Sequence, residues 1–319
     1  MADARSYRFH TLDVFTEHVF GGNPLAVLTD ARGLSDDEMM RITREFNLSE
    51  TVFVFPPEDI AHTARVRIFT PGSELPFAGH PTVGTGFLLV ASGIVRAEHQ
   101  DGDTQVVLEE GVGPVAVTVR AQDGVPVSAE LTAAQLPDVR RSAPDVPPTH
   151  EIATVLGVEP DAIGAGALAP AAVSCGVPYL LVPLRDQGEV TRARFDVSAW
   201  EQFVAPHWAH AVYLFDGSAA ERGQTIRARM FAPHLGIGED PATGSAAATL
   251  AGYLALASEK RDGTLAWRVD QGVEMGRPSR LELSADVHDG KVTAVRVAGS
   301  AVLVSEGTLR VPREASSTR

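Results

Sequence analysis

Short apolar stretches separated by turns dominate the pattern of this chain. Alternation of apolar and polar residues over Tyr7–Phe15 predicts a first strand, and the apolar run Thr51–Phe55 predicts a buried one. The other predicted strands are Leu25–Leu28, Ala64–Phe69, Gln105–Glu109, Val115–Arg120, Ala162–Leu168, Tyr179–Pro183, Ala211–Phe215, Thr225–Phe231, Trp267–Val269, Arg280–Leu283, Val292–Val297 and Ala301–Leu309. The pattern therefore predicts a chain built mostly of short strands.

Three helices are predicted from their capping residues. Ser35-Asp-Asp-Glu38 has the spacing of a capping box, which starts a helix that reaches Phe46. The other two are a helix to Leu156 with Thr149 as its cap, and a helix to Val204 that starts at a capping box, Ser198–Glu201.

Two further helices are almost uncharged, which favours burial on all sides. The first is predicted to begin with His80 as its N-cap and to end near Gly93. The second is predicted to have Asp240 as its N-cap and Pro241 at its first helical position. A helix start offers free N–H groups and the positive end of the helix dipole, so it is a natural site for an anion.

The chain contains an internal repeat. His80-Pro-Thr-Val-Gly-Thr is matched 160 positions later by Asp240-Pro-Ala-Thr-Gly-Ser, and Arg65-Val-Arg-Ile-Phe-Thr-Pro is matched 162 positions later from Arg227. Two matches at about half the length of the chain indicate a duplicated unit. We therefore expect two similar halves, each with a buried helix whose N-terminus faces its twin.

The expected architecture is α+β, with no βαβ rhythm of a nucleotide-binding sheet. The predicted N-terminal half comprises residues 1–124 plus 300–319, and the predicted C-terminal half comprises residues 125–299. The strand Ala301–Leu309 is expected to return to the first half, because each half otherwise lacks one strand. A disordered tail is predicted at Glu314–Arg319.

Glu50 is the first candidate for acid–base chemistry. It lies where a surface helix breaks into the apolar strand, so it is either an exposed loop residue or a carboxylate drawn between the halves. In the second case desolvation would raise its pKa and suit it to proton transfer. The residue 160 positions later is His210, so Glu50 is not a duplicated structural feature.

His80 and Asp240 are candidates because they occupy matching positions in the repeat. They could serve only as helix caps, or they could face one ligand across a cleft as a neutral-to-cationic and an anionic group. Ser245 follows Gly244 at the second helix start, and its hydroxyl could bind the ligand or bond back to the helix backbone.

Composition excludes several classes of function. The net charge of −14 argues against nucleic acid and anionic membranes as partners, and no apolar run approaches the roughly 20 residues of a membrane span. The polar N-terminus does not resemble a signal peptide, so a cytoplasmic location is expected. The lone Cys175 rules out an intrachain disulfide and any mechanism that needs two thiols, and a structural role is expected for it.

Cofactor motifs are missing as well. The sequence contains no His-x-x-x-His or His-Glu-x-x-His spacing, so no metal is expected. Gly164-Ala-Gly166 lacks the third glycine of a dinucleotide motif, and a Gly-x-Ser-x-Gly elbow of a hydrolase does not occur.

Five separated motifs together resemble the phenazine-biosynthesis PhzF-like family, in the expected order from Tyr7 to Leu309. They are Phe20-Gly-Gly-Asn23-Pro24-Leu-Ala-Val, Asn47-Leu-Ser-Glu50-Thr-Val-Phe, Phe69-Thr-Pro with Leu75-Pro-Phe-Ala-Gly79-His80-Pro, Gly238-Glu-Asp240-Pro-Ala-Thr-Gly-Ser245-Ala and Gln271-Gly-x-x-x-Gly276-Arg277-Pro278.

The resemblance implies a diaminopimelate-epimerase-like fold, with two pseudo-symmetric halves that are each a curled, mostly antiparallel sheet around a central helix. It places the active site in the cleft between the halves and suggests a homodimer. The epimerase relatives carry a cysteine at each facing helix start, whereas this chain carries His80 and Asp240. Racemisation by two thiols is therefore excluded.

By this resemblance the chain is expected to be an isomerase that needs no cofactor and acts on a small molecule, as in the isomerisation of trans-2,3-dihydro-3-hydroxyanthranilate. Glu50 would be the proton shuttle, and His80, Asp240 and Ser245 would hold the substrate. The N–H groups at Gly79 and Gly244 would receive its carboxylate. Two alternatives stay open: a non-catalytic small-molecule binding protein of the same fold, and an amino-acid racemase or epimerase.

Overall fold

Strands make up most of the structure, a computed structural model that describes residues 4–312. The predicted tail Glu314–Arg319 lies outside the described residues. The first part of the chain forms β1 (Ala4–Val14), β2 (Asn23–Leu28), α1 (Asp36–Phe46), β3 (Glu50–Phe55), β4 (Ala64–Phe69), β5 (Glu74–Leu75), α2 (Gly79–Ala91), β6 (Gly102–Glu110), β7 (Gly113–Gln122) and β8 (Val125–Thr132).

The second part repeats this organisation with additional short helices. Its elements are β9 (Asp138–Arg140), α3 (Thr149–Leu156), β10 (Ala171–Ser174), β11 (Pro178–Leu184), α4 (Gln187–Arg192), α5 (Val197–Phe203), β12 (Ala211–Asp216), α6 (Gly217–Glu221), β13 (Ile226–Ala232), β14 (Ile237–Asp240), α7 (Gly244–Ala257), β15 (Gly263–Gln271), β16 (Ser279–His288), β17 (Lys291–Gly299) and β18 (Ala301–Pro312).

The strand pairings of the two halves follow the same order. In the first half β2 and β3 are parallel, as are β4 and β6, while β3–β4 and β6–β7–β8 are antiparallel. In the second half β11 and β12 are parallel, as are β13 and β15, while β12–β13 and β15–β16–β17 are antiparallel. The α+β class with two pseudo-symmetric, mostly antiparallel halves is confirmed.

Two pairings connect the halves. β18 pairs antiparallel with β1, so the last described strand returns to the first sheet. β8 pairs with β7 on one side and with β17 on the other. The boundaries 1–124 plus 300–319 and 125–299 stay a prediction.

Each half contains one central, apolar helix. Nearly every residue of α2 and of α7 is buried, and both helices contribute to one large apolar cluster with the inward-facing strand residues. Neither helix has a charged residue in its first or last turn. The absence of charge along both segments is therefore explained by burial on all sides.

The two halves also contain equivalent ion pairs. Arg67 on β4 pairs with Glu74 on β5 at 2.6 Å, and Arg229 on β13 pairs with Glu239 on β14 at 2.7 Å. These arginines belong to the sequence repeat, so the duplication extends from the helices to the surrounding strands.

The predicted surface helix α1 is confirmed with its cap. The Ser35 hydroxyl accepts a hydrogen bond from the Glu38 N–H at 3.3 Å, and Glu38 Oε2 accepts one from the Ser35 N–H at 2.9 Å. Asn47 ends the helix in the left-handed conformation, which asparagine tolerates well.

Several predicted caps are wrong in detail. His80 lies within the first turn of α2, whose N-cap is Ala78, and Asp240 ends β14 four residues before α7, whose N-cap is Thr243. The Asp240 carboxylate is held by other side chains, which removes it from the helix amides. Two other caps are also displaced: Thr149 is the first residue of α3 after Pro148, and Asp196 rather than Ser198 caps α5.

The strand predicted at Ala162–Leu168 is wrong as well. Pro160–Ala162 is a short 3-10 helix, and Gly164 and Gly166 both have positive φ. Apolar composition alone suggested a strand, but these glycines allow the chain to turn before β10.

Candidate active site at the two helix starts

The N-termini of α2 and α7 touch each other. A Cβ atom added at Gly79 would lie 2.8 Å from the Ser245 amide nitrogen and 3.2 Å from Gly244 Cα. A side chain at Gly79 would thus force the two helix starts apart, because the atoms it meets belong to the backbone. The positive ends of two helix dipoles therefore converge on one place, which favours a bound anion.

Glu50 and His80 meet beside these helix starts. Glu50 begins β3 and lies in parallel register with Leu25 of β2, while His80 projects from the first turn of α2. Glu50 Oε2 lies 3.4 Å from His80 Nε2, and the two residues are 7% and 5% exposed. Within residues 4–312 neither of these two atoms has a hydrogen-bond partner, so both are free to bind a ligand.

Burial shifts the pKa of both groups toward their neutral forms. Desolvation, with a smaller contribution from the charge of Asp240, raises the pKa of Glu50 to about 8. Desolvation lowers the pKa of His80 to about 3, against a smaller opposing effect of a hydrogen bond to the backbone of Pro24. Near pH 7 His80 is therefore a neutral imidazole, and Glu50 is mostly protonated, with its carboxylate form increasing as pH rises toward 8.

Asp240 is held differently, by two side chains. Its Oδ1 accepts a hydrogen bond from Asn23 Nδ2 at 2.9 Å, and its Oδ2 accepts one from the hydroxyl of Thr243. Desolvation raises the pKa of Asp240 to about 6, while the hydrogen bonds from Thr243 and Asn23 lower it. The site thus contains two carboxyl groups, and the pKa of Asp240 lies below that of Glu50.

A second layer of buried polar groups supports Asp240 from the second half. Gln271 Nε2 donates to the Asp240 carbonyl at 2.8 Å and to the Thr243 hydroxyl at 3.0 Å. Gln271 Oε1 accepts a hydrogen bond from the Tyr213 hydroxyl at 3.1 Å. These bonds fix the extended segment between β14 and α7.

Ser245 binds a side chain rather than its own helix in this structure. Its hydroxyl lies 2.6 Å from the Tyr179 hydroxyl, so one of the two donates to the other. Burial raises the pKa of Tyr179 above its ordinary value, which keeps the phenol protonated. Ser245 therefore stands in the first turn of α7 with its hydroxyl oriented by β11.

The structure thus brings together all six residues singled out from the sequence, which are Glu50, Gly79, His80, Asp240, Gly244 and Ser245. It also adds five side chains that sequence reasoning did not select for a role: Asn23, Tyr179, Tyr213, Thr243 and Gln271. Asn23, Thr243 and Gln271 lie inside the motifs that resemble the PhzF-like family, which was the available signal. The two tyrosines carried no such signal, because an aromatic residue in an apolar strand is typical of a core.

Cys175 lies apart from this chemistry, in the turn after β10. Its thiol packs against α7, 4.0 Å from the Ala248 carbonyl, and burial raises its pKa to about 12. A neutral, buried thiol is a poor nucleophile, as expected for a structural cysteine.

Residues 4–312 contain no cluster of three or more His, Cys, Asp or Glu side chains placed to hold a metal ion. Over the same range none of the helices is both long and apolar enough to cross a membrane.

The chain is similar to a known protein family and to several isomerases along most of its length. Residues 12–307 match the PhzC-PhzF family, described as phenazine biosynthesis-like protein. An uncharacterized isomerase of Mesorhizobium japonicum is 41% identical over 301 residues, which are 93% of this chain and 96% of that protein. The trans-2,3-dihydro-3-hydroxyanthranilate isomerase of Pseudomonas aeruginosa is 35% identical over 302 residues, 94% of this chain and 98% of that protein.

The fold is shared with solved structures. A PhzF-family protein of Bacillus anthracis superimposes with a TM-score of 0.82, covering 96% of this chain and 99% of its own, at 23% identity. At that identity the match concerns the fold, and it confirms the architecture inferred from the sequence.

Proposed function

The chain belongs to the PhzC-PhzF family of phenazine biosynthesis-like proteins and is an isomerase, and we propose that it transfers a proton within a small cyclic amino or hydroxy acid that carries a carboxylate. The observation that carries the proposal is the contact between Glu50 and His80, 3.4 Å apart and buried, with ligand-facing atoms that lack other partners among the described residues.

Glu50 is the proton shuttle in this proposal. A pKa of about 8 makes both of its protonation states accessible near neutral pH. The Glu50 carboxylate takes a proton from one carbon of a conjugated system and the double bond shifts. The protonated Glu50, whose proton exchanges with solvent, then returns a proton to another carbon. The overall reaction consumes no oxidant, reductant or water, and the residues of this chain supply the acid and the base.

His80, Asp240 and Ser245 orient the substrate. The neutral imidazole can accept a hydrogen bond from a hydroxyl or an amine, whereas the ionised Asp240 favours an ammonium group. The Ser245 hydroxyl and the N–H groups at Gly79 and Gly244 receive the substrate carboxylate at the two helix starts. The same N–H groups stabilise negative charge that spreads into this carboxylate during proton transfer.

Substrate entry requires motion in this proposal. Glu50, His80 and Asp240 are each more than nine-tenths buried, so the helix starts must separate for a molecule to reach them. Closure around the substrate would then exclude water from the acid–base groups.

The experiment uses trans-2,3-dihydro-3-hydroxyanthranilate, the compound in the name of the P. aeruginosa relative, as the probe. It is incubated with the protein in deuterated buffer and followed by NMR. We expect rearrangement with deuterium uptake by the wild type and a loss of at least about 10²-fold in rate for Glu50→Gln.

Glu110→Gln is the matched control. Burial raises the pKa of Glu110 to about 8 as well, but its carboxyl bonds to Thr82 rather than to His80. This variant is expected to keep most of the activity, whereas a wild-type rate for Glu50→Gln would reject the mechanism. Absence of turnover by the wild type would reject this substrate, and chiral analysis of amino acids then tests for a racemase.

A further inference from the structure

Asn23 connects the two halves at the site. It is fully buried at the start of β2, and its amide Nδ2 donates to Asp240 Oδ1 and to the Ala242 carbonyl, both at 2.9 Å. Asn23 and Asp240 are 217 positions apart in the sequence. One side-chain amide of the first half thus uses both of its hydrogens on the segment that carries Asp240.

The residues next to Asn23 contact the other two acid–base groups. The backbone of Pro24 lies close enough to the His80 ring to oppose the fall in its pKa, and Leu25 lies in register with Glu50. Asn23 Oδ1 also accepts a weak hydrogen bond from the hydroxyl of Ser49, at 3.4 Å. The first three residues of β2 therefore fix the relative positions of Asp240, His80 and Glu50.

The backbone before Asn23 is itself held by the second half. Arg277 Nε donates to the Gly22 carbonyl at 2.8 Å, and the Gly22 N–H donates to the Pro278 carbonyl at 3.1 Å. The Arg277 guanidinium also pairs with Asp13 on β1 at 2.5 Å. Asn23 is consequently anchored on both sides, so its amide can act as a rigid support.

Chemistry explains why asparagine suits this position. Both partners of Nδ2 are oxygen acceptors, so the site needs a group with two N–H hydrogens. An aspartate of the same shape would present an oxygen to the Asp240 carboxylate and to the Ala242 carbonyl. The amide therefore cannot be replaced by its acid without repulsion.

We propose that Asn23 is a positioning residue that fixes the Asp240 carboxylate across the boundary between the halves, in register with Glu50 and His80. The expected effect of Asn23 on turnover rests on the proposed function, whereas its expected effect on the Asp240 carboxylate does not. Asn23 needs no contact with the substrate for this role.

The surroundings of Asp240 predict what loss of Asn23 does. The titratable groups that act on Asp240 or feel its charge are Glu50 on β3, Tyr179 on β11 and Tyr213 on β12. Burial favours the protonated acid, and the hydrogen bonds from Asn23 and Thr243 favour the carboxylate. Without the amide of Asn23, Asp240 should hold its proton to higher pH.

The test is a carboxyl ¹³C NMR titration of the full chain labelled at aspartate, with the Asp240 signal assigned by its loss in Asp240→Asn. The variants are Asn23→Asp and Asn23→Ala, because either one may fold when the other does not. Asn47→Asp is the matched control, since it makes the same chemical change at an exposed asparagine that ends α1.

We expect the Asp240 midpoint to rise by on the order of one pH unit or more in both Asn23 variants and to stay unchanged in Asn47→Asp. With an active substrate, kcat should fall at least about tenfold in the Asn23 variants, with a smaller change in KM. An Asp240 midpoint equal to that of the wild type in a folded Asn23 variant would overturn the proposal. Absence of wild-type turnover of the probe compound, together with a shifted Asp240 midpoint in the Asn23 variants, would reject that substrate and keep the positioning role.

Discussion

The two helix starts that meet at the site are held in opposite ways. At α2, His80 Nε2 is buried without a hydrogen-bond partner among residues 4–312 and faces only Glu50 at 3.4 Å. Before the start of α7, at the end of β14, Asp240 is bonded through both carboxylate oxygens, to Asn23 and Thr243. The His80 imidazole is therefore free to bind a ligand, whereas the Asp240 carboxylate is already held in place by protein side chains.

This difference shows where a duplicated fold can diverge. Both halves share the strand order, the buried helix and the ion pair between neighbouring strands. They share these features because each half packs one apolar helix against a sheet. At matching positions of the repeat, His80 and Asp240 differ in charge and in hydrogen bonding. Divergence there converts a symmetric scaffold into an asymmetric acid–base site.

The largest expected effect comes from removing the acid–base group at each end. Asp240→Asn should lower kcat by about 10²–10⁴-fold, since it deletes a charge that the protein maintains by two hydrogen bonds. His80→Asn should lower kcat by about 10²–10³-fold, as for the loss of one hydrogen-bonding group at a reacting centre. The assay is kcat/KM as a function of pH with a confirmed substrate.

The shape of this profile separates the two ends. The ionisation near pH 6 should vanish in Asp240→Asn and persist in His80→Asn, because His80 is neutral above its pKa of about 3. A profile in which His80→Asn removes the ionisation near pH 6 would contradict the asymmetry described above.

The repeated ion pairs should differ in their contribution to stability. Arg229 and Glu239 have side chains that are 8% and 19% exposed, whereas those of Arg67 and Glu74 are 24% and 41% exposed. Glu239→Gln leaves a buried guanidinium unpaired and should cost about 3 kcal/mol of unfolding free energy. Glu74→Gln should cost less than about 1 kcal/mol, because solvent and Asp36 still stabilise Arg67.

Urea unfolding of both variants, with the slope m compared to that of the wild type, measures this difference. Equal losses of stability would mean that the two ion pairs contribute equally to the unfolding free energy in spite of their different burial.

The smallest expected effect is a contrast in the pH dependence of stability. The pKa of Asp240 is raised in the folded state to about 6, so its contribution is full below its ordinary pKa of 3.8 and is lost as pH rises to 6. The pKa of His80 is lowered to about 3, so its contribution is full above 6.5 and is lost as pH falls toward 3. The titration of Asp240 therefore lowers the stability of the fold as pH rises, and the titration of His80 lowers it as pH falls.

Thermal unfolding from pH 4 to pH 8 tests this contrast. The difference in Tm between Asp240→Asn and the wild type should change in favour of the variant by a few degrees as pH rises from 4 to 7. The difference in Tm between His80→Asn and the wild type should change in favour of the variant by a similar amount as pH falls from 7 to 4. Parallel curves for the two variants would show that the two groups do not titrate in opposite directions on unfolding.

Much of the fold follows from local pattern. The strand Ala64–Phe69 coincides with β4, and the capping box at Ser35 places the start of α1 correctly. Errors arose where local signals compete, as at Ala162–Leu168, where apolar residues surround two glycines that turn the chain. β8 and β9 were missed because both are only partly buried, so their apolar pattern is weak, and each pairs with a strand that is remote in sequence.

The site was predicted as a set of residues, and its geometry was not. Glu50, His80 and Asp240 were singled out from their position at the breaks between elements and within the repeat. Asn23, Gln271 and the two tyrosines were not assigned a role, since their contacts join strands that are distant in the chain. The roles of the selected residues, the homodimer and the cytoplasmic location stay predictions.

The amino-acid sequence by itself determined the duplication, the two uncharged helices and the identity of the groups at their starts. The spacing of apolar residues and the matching positions of the repeat reveal these features, because both depend on local backbone preference and burial. Tertiary structure alone decided that Asn23 bonds to Asp240 and that Glu50 meets an unpartnered imidazole. It also decided which carboxyl group titrates near neutral pH, because desolvation and hydrogen bonding depend on neighbours that only the folded chain brings together.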